Sequence, residues 1–215
     1  SCHMSDADQP PLVLTTNPRL SFALHGSGAD LERAMEAVGP DEVRKWLLNR
    51  TGDEIEPDHL DAALAAWFES ESPDDRVIAR VELAELIGDT DEATSELLWK
   101  ASLREGYERG DAELAFDAVV NLARIAEDTG DPLAAAEYFI EFLNWRRQGD
   151  HVADPEFVHQ AFEEIIRLAE AERQAAVAAR YQAAHAQFTR LADAEDDRAT
   201  EGDWAPGAPP FSGWE

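Results

Sequence analysis

The sequence predicts an all-α protein built from stacked antiparallel helical hairpins. After residue 25, apolar residues recur at spacings of three and four, which is the period of one face of a helix. Aspartate, serine, glycine and proline punctuate these segments where helix caps are expected. The dipeptide Gly-Asp begins at residues 88, 110, 130 and 149, with spacings of 22, 20 and 19 residues, and so predicts helices of similar length joined by similar turns.

The first predicted helix covers residues 18–25. Asn17 suits an N-cap, the proline after it suits the first helical position, and Gly26 suits the end. The alternation of Leu20, Phe22 and Leu24 leaves a β-strand as an alternative for this segment. Further helices are predicted to begin at Asp30, Asp41, Pro57 and Ser72.

Each Gly-Asp pair is predicted to end one helix and to cap the next. Glycine adopts the left-handed conformation that ends a helix, and an aspartate side chain accepts hydrogen bonds from free backbone N–H groups. Two such units make a helical hairpin of about 40 residues. Residues predicted to share the core lie four, eight and twelve positions after the aspartates: Ala93, Leu97 and Ala101; Ala115, Val119 and Ala123; Ala135, Phe139 and Leu143.

The last helical region begins at Asp154-Pro155 and contains two apolar stripes that are out of register. A break near residues 172–175 would explain this shift and would give two helices. One long kinked helix is the alternative, since neither glycine nor proline marks the join.

The segment from Val119 to Phe142 resembles a tetratricopeptide repeat, most clearly over residues 110–148. The matching positions are Val119, Leu122, Ala123, Ala126, the Gly130-Asp131 turn, Ala135 and Phe139. Phe142 departs from the pattern because a small residue is usual there, and Arg147 stands where a proline usually closes the repeat.

This resemblance implies a tetratricopeptide-like α-solenoid or helical bundle of about eight or nine helices. In such arrays the first helix of each hairpin lines the concave surface. The resemblance therefore places a peptide-binding groove on one helix, at Val120, Asn121, Arg124 and Glu127.

The domain organisation follows from these patterns. Residues 1–16 are predicted to be a flexible arm that includes a cloning remnant at residues 1–3, and residues 17–198 to form one helical-repeat domain. Residues 199–215 are predicted to be a disordered acidic tail, although it contains three large aromatic residues. A linear binding motif, or aromatics that fold back onto the protein's own groove, are the alternatives for this tail.

The charge restricts the possible partners. The chain has 46 acidic and 18 basic residues, for a net charge of −28. This balance argues against nucleic-acid and anionic-membrane partners, and it allows a basic one. A GC-rich genome is one explanation of the acidity, and adaptation to salt is the other. Without residues 1–3 the chain has no cysteine, and no secretion signal or membrane span is recognisable, so a cytoplasmic location is expected.

Two Glu-x-x-His tetrads, at residues 56–59 and 156–159, have the spacing of di-metal helical bundles. Both stand beside a proline at a helix start, where an acidic residue is favoured by the helix dipole. A histidine cluster of His151, His159 and His185 is a second possibility for ligands or a pH sensor. We predict no cofactor, no metal and no catalytic residue.

The remaining candidates for partner contact are aromatic. One helix carries an aromatic stripe opposite a second apolar stripe, so that it is either enclosed in the core or offers one face to a ligand. The tail offers aromatics among acidic residues. The candidate residues are Tyr138, Phe142, Trp145, Trp204, Phe211 and Trp214.

The sequence thus predicts a non-enzymatic adaptor or scaffold that binds a protein or peptide segment, possibly a basic one. One alternative is an acidic inhibitor of a basic protein, either antitoxin-like or mimicking DNA. The other alternative is a helical-bundle metalloprotein.

Overall fold

The computed structural model describes residues 17–148, 155–195, 198–199, 204 and 210–214. Within these residues the secondary structure is entirely helical, with ten α-helices and one short 3₁₀ turn. The predicted all-α class is therefore confirmed. The predicted arm at residues 1–16 lies outside the described residues.

The first helix, α1 (Pro18–Ala23), begins at Asn17, whose side chain accepts hydrogen bonds from the backbone of Arg19 and Leu20. The β-strand alternative for this segment is wrong, because this cap and Pro18 fix the first turn as helical.

Three helices follow: α2 (Gly28–Val38), α3 (Pro40–Thr51) and α4 (Pro57–Phe68). Ser27, rather than the predicted Asp30, caps α2. Asp30 instead occupies the third position of the helix, and its carboxylate accepts a hydrogen bond from the backbone N–H of Ser27, which completes a capping box.

The longer helices form the rest of the domain, and each contacts the next one in the chain. Two residues join α6 to α7, so the chain reverses there and the helices pack side by side. These helices are α5 (Pro73–Ile87), α6 (Glu92–Arg109), α7 (Ala112–Asp128), α8 (Pro132–Gln148), α9 (Pro155–Ala171) and α10 (Ala175–Asp193).

Two of the Gly-Asp turns have the predicted geometry. Gly110 and Gly130 have φ angles of 68° and 80°, and the aspartate after each one accepts a hydrogen bond from the helix that it caps. The pair at residues 149–150 lies outside the described residues.

The Gly-Asp turn at residue 88 is different. Gly88 has a φ of −55°, and Asp91, not Asp89, caps α6. The capping aspartates are therefore residues 91, 111 and 131, which are evenly spaced by 20 residues. As a result, Ser95 is fully buried at the position that we predicted for Ala93, and Ala93 is exposed.

The predicted break between the last two helices is confirmed. The backbone N–H of Gln174 bonds to the carbonyl of Ala169 at 2.8 Å, as Asp131 bonds to Ala126 at 2.9 Å in the preceding glycine turn. Arg173 occupies the position of that glycine with a φ of 57°. The turn thus has the usual geometry of a helix end with an unusual residue in it.

The ends of the domain are joined to its middle by close contacts. A Cβ atom added to Gly28 of α2 would lie 2.4 Å from the carbonyl oxygen of Leu97 and 2.7 Å from the Cβ of Ala101 on α6. Helix α2 therefore packs on α6 as closely as a glycine permits.

The predicted disorder of the tail is wrong for its described residues. Trp204 has no exposed surface, and Phe211 is 7% exposed. Their rings pack against Phe162 of α9, and Trp204 also contacts Phe188 of α10. The rings do fold back onto the domain, but onto α9 and α10 and not onto the groove predicted on α7. They complete a hydrophobic cluster that α9 and α10 leave open.

None of the helices in the described ranges is long and apolar enough to cross a membrane.

Replacing Arg173 by glycine is expected to raise the free energy of unfolding by roughly 0.5–1 kcal/mol. Glycine relieves the strain that a Cβ atom causes in a left-handed backbone, and the greater entropy of the unfolded glycine chain offsets part of this gain. Urea unfolding followed by circular dichroism measures the change. Gly130→Ala is the matched reverse substitution, and it is expected to destabilise by about 1 kcal/mol. A less stable Arg173→Gly protein would contradict this account of the turn.

Candidate functional site

A groove runs across α5, α7 and α9, the first helices of three successive hairpins. Its larger section, between α5 and α7, encloses about 600 Å³. A second section of about 400 Å³ continues between α7 and α9. Phe116 and Val120 of α7 line both sections. We call the two sections together the acidic groove.

Apolar side chains form part of the groove surface. Ile78 on α5 is 57% exposed and Val120 is 41% exposed, which is high for large apolar residues. Phe157 of α9 stacks on Phe116 with ring centroids 4.8 Å apart. The groove therefore presents a hydrophobic surface that neighbouring helices do not cover.

The charged residues of the larger section are acidic. Its described lining includes no arginine or lysine, but it includes Glu82, Asp111, Glu113 and Asp117. Burial and the nearby charge of Glu113 raise the pKa of Asp117. Burial, Asp117 and Glu82 raise the pKa of Glu85. Raised values mean that these carboxylates repel one another and are incompletely solvated.

The four groove residues implied by the resemblance lie on the predicted helix, α7. Val120 and Arg124 line the groove, with Arg124 paired to Asp128 at 3.4 Å. Glu127 also lines it and pairs with Arg167 of α9 at 2.5 Å. Asn121 is half-buried, and its amide donates to the backbone carbonyl of Asp117 at 2.9 Å.

These contacts change the expected chemistry of the groove. Asn121 is engaged with its own helix, and Arg124 has a carboxylate partner. The smaller section also contains Glu163 and Glu164. A peptide carboxylate would meet repulsion here, whereas a cationic group would be attracted.

The aromatic stripe of α8 does not form a free surface. Phe142 has no exposed area and contacts the ring of Phe116, so its predicted role in partner contact is wrong. Trp145 is half-buried against Tyr107, with centroids 4.9 Å apart. Tyr138 is also half-buried, and burial raises its pKa. Neighbouring helices cover this stripe because both sides of α8 face the core.

The tail aromatics contact their own domain. Trp204 and Phe211 are buried, and Trp214 packs partly buried against the core. The predicted partner-binding role of Trp204 and Phe211 is wrong for this conformation, because their rings are already enclosed.

Two of the three predicted histidines do meet. Nδ1 of His159 lies 2.9 Å from Nε2 of His185, and His151 is outside the described residues. Burial and the neighbouring His159 lower the pKa of His185. In the other tetrad Glu56 and His59 lie 4.0 Å apart on the surface. The part of the chain described here contains no group of three or more possible metal ligands.

Sequence reasoning missed Ile78 and the acidic side of α5. Val77 and Val81 lie four residues apart, as residues of one apolar helix face do, and Ile78 lies just outside that face. The signal in the sequence was an extra apolar residue, Ile78, beside an apolar face that was already complete. Ile78 becomes part of a groove only because α5 lies near α7, and residue spacing does not show which helices are neighbours.

Asp117→Asn is expected to raise the free energy of unfolding at pH 7. The pKa of Asp117 is higher in the folded chain than in the unfolded chain, so its charge opposes folding above that pKa. This cost disappears as the pH falls below the unfolded value of about 4, and the advantage of the variant should disappear with it. Urea unfolding at several pH values tests this. Glu69→Gln, at an exposed position after α4, is the control. A constant advantage at every pH would contradict the assignment.

Comparison of the sequence and structure with known proteins gave no significant relative: no family model matches, and no match was found among curated proteins or solved structures.

Proposed function

We propose that the protein is a non-enzymatic adaptor or scaffold that binds another protein. We also propose that the acidic groove binds a basic, partly apolar segment of that partner. The supporting observation is the combination of exposed Ile78 and Val120 with a row of carboxylates in one groove. We also propose that the hairpins form a tetratricopeptide-like array, since the first helices of successive hairpins share this groove.

The apolar residues would provide the affinity. Large exposed apolar side chains in a concave surface commonly mark binding sites, and burying them removes them from water. Ile78 and Val120 are held on helices, so little order is lost when a partner covers them.

The carboxylates would select the partner. A lysine or arginine near Asp117 and Glu85 relieves the repulsion that raises the pKa of both groups. The net charge of −28 extends this preference over a longer distance, because it attracts basic proteins before contact. The acidic-inhibitor alternative uses this same attraction, and it differs from the adaptor in what binding does to the partner.

No specific feature favours the metalloprotein alternative. In the part of the chain that the structure describes, the Glu-x-x-His tetrads do not converge: Glu56 and His59 lie on the surface, and His159 contacts another histidine.

A labelled peptide of alternating leucine and lysine is a suitable probe of the groove. We expect saturable binding that weakens as salt is added, and weaker binding of a lysine peptide with equal charge but no leucine. The double variant Ile78→Ser, Val120→Ser should bind the leucine-containing peptide about tenfold more weakly, as expected for the loss of two partly covered apolar side chains. Fluorescence anisotropy measures each affinity.

Phe22→Ser is the matched control, because Phe22 is 79% exposed on α1 and does not line the groove. This variant should bind like the unaltered chain. Equal affinity of the double variant and the unaltered chain would rule out the groove as the binding site. If the two peptides bound with equal affinity, charge alone would account for the interaction, and the apolar residues of the groove would not contribute.

A further inference from the structure

The end of the chain lies across a second surface, away from the acidic groove. Residues 210–214, which we call the strap, contain no helix and contact α8, α9 and α10. The strap has the sequence Pro-Phe-Ser-Gly-Trp. Its surroundings resemble a binding site for an extended peptide more than the interior of a helical domain.

Asn144 of α8 pairs with the strap backbone on both sides of one residue. Its amide nitrogen donates to the carbonyl of Phe211 at 2.9 Å, and its amide oxygen accepts from the N–H of Phe211 at 3.0 Å. This arrangement satisfies both backbone groups of an extended residue, as a neighbouring strand would. It recognises peptide backbone and not a particular side chain.

Tyr181 of α10 provides the next backbone contact. Its ring is fully buried, and its hydroxyl donates to the carbonyl of Ser212 at 2.7 Å. The buried hydroxyl requires an acceptor, because an unpaired polar group in this position is costly. Asn144 and Tyr181 thus hold consecutive residues of the strap from two helices.

Side-chain selectivity comes from the aromatic position and from the glycine. The ring centroid of Phe211 lies 5.1 Å from that of Tyr181, and the guanidinium of Arg147 lies 4.8 Å from the Phe211 ring. A Cβ atom on Gly213 would lie 3.3 Å from Cδ1 of Leu133 on α8, so a larger residue requires that side chain to move. The site therefore suits an aromatic residue followed, two positions later, by a small one.

We propose that this surface is a recognition site for an extended segment with an aromatic residue followed, two positions later, by a small residue such as glycine, and that the strap is its resident occupant. A partner protein carrying such a segment binds by displacing the strap. The site is separate from the acidic groove, since Asn144, Phe162 and Tyr181 contact the strap and do not line that groove. It uses backbone recognition in place of charge.

Because the strap belongs to the same chain as its site, a partner segment needs a high affinity to displace it. A segment joined to its site by a short linker acts at an effective concentration in the millimolar range. A free peptide with the affinity of the strap itself therefore competes poorly, and only a tighter or multivalent partner gains entry. The strap thus excludes ligands that bind this site weakly.

The test uses a chain that ends at Pro209, which retains Trp204 and lacks the strap. The probe is a fluorescently labelled peptide of residues 208–215 of this protein. We expect saturable binding to the shortened chain and little or none to the intact chain. Asn144→Ala in the shortened chain should weaken binding about tenfold, the loss expected for one or two neutral hydrogen bonds. A probe with alanine in place of the phenylalanine should bind more weakly still.

Gln148→Ala, at an exposed position on α8, is the matched control and should leave the affinity unchanged. The intact chain with Phe211→Ala provides a second receptor with a weakened strap, in case the shortened chain does not fold. A folded receptor that fails to bind the probe, or an unchanged affinity after Asn144→Ala, would overturn the proposal. Sedimentation of the intact chain should give a monomer. A dimer that Asn144→Ala abolishes would assign the site to the strap of a second copy and would also overturn it.

Discussion

The whole arrangement depends on the capped turn that reverses the chain between helices. Asp111 and Asp131 each cap a helix immediately after a left-handed glycine, and Asp91 caps at the same spacing without one. Because these caps are 20 residues apart, equivalent positions on successive helices face the same core. Successive helices of 15 to 19 residues then place α5, α7 and α9 along a common surface. The acidic groove is a consequence of this spacing.

Asp91 also joins the first helices to the array. Its carboxylate accepts hydrogen bonds from the backbone N–H and the hydroxyl of Thr94 in its own helix. It also accepts two hydrogen bonds from the guanidinium of Arg50 on α3, at 2.7 and 2.9 Å. Arg80 of α5 is nearly buried between Glu32 of α2 and Glu105 of α6. Such buried cations need paired carboxylates, and removing one partner would leave an uncompensated charge. Several of the few arginines thus serve internal contacts, while many carboxylates remain at the surface.

The acidic groove and the strap site differ in which of their side chains are exposed to solvent. In the acidic groove, apolar and acidic side chains face solvent, which suits an outside partner that is both basic and apolar. At the strap site, Asn144 and Tyr181 are already engaged with the chain's own backbone. Under the two proposals, the first surface selects a partner by charge and the second by backbone and shape, so that one chain binds two segments of different chemistry.

The sequence by itself determined the helical class, the acidity and most helix boundaries, because caps, prolines and the 3.6-residue period act over short distances. It also placed Val120 and Arg124 on the correct helix. It misplaced the cap of α6, because both Asp89 and Asp91 are suitable by residue type, and the choice depends on how Ser95 packs against α5. Only the tertiary structure decided that Ile78 and Val120 line one groove, that Phe142 is enclosed and that Phe211 bonds to Asn144. Those contacts join residues far apart in the chain, and their energy comes from burial and hydrogen bonds that form only when the helices have assembled.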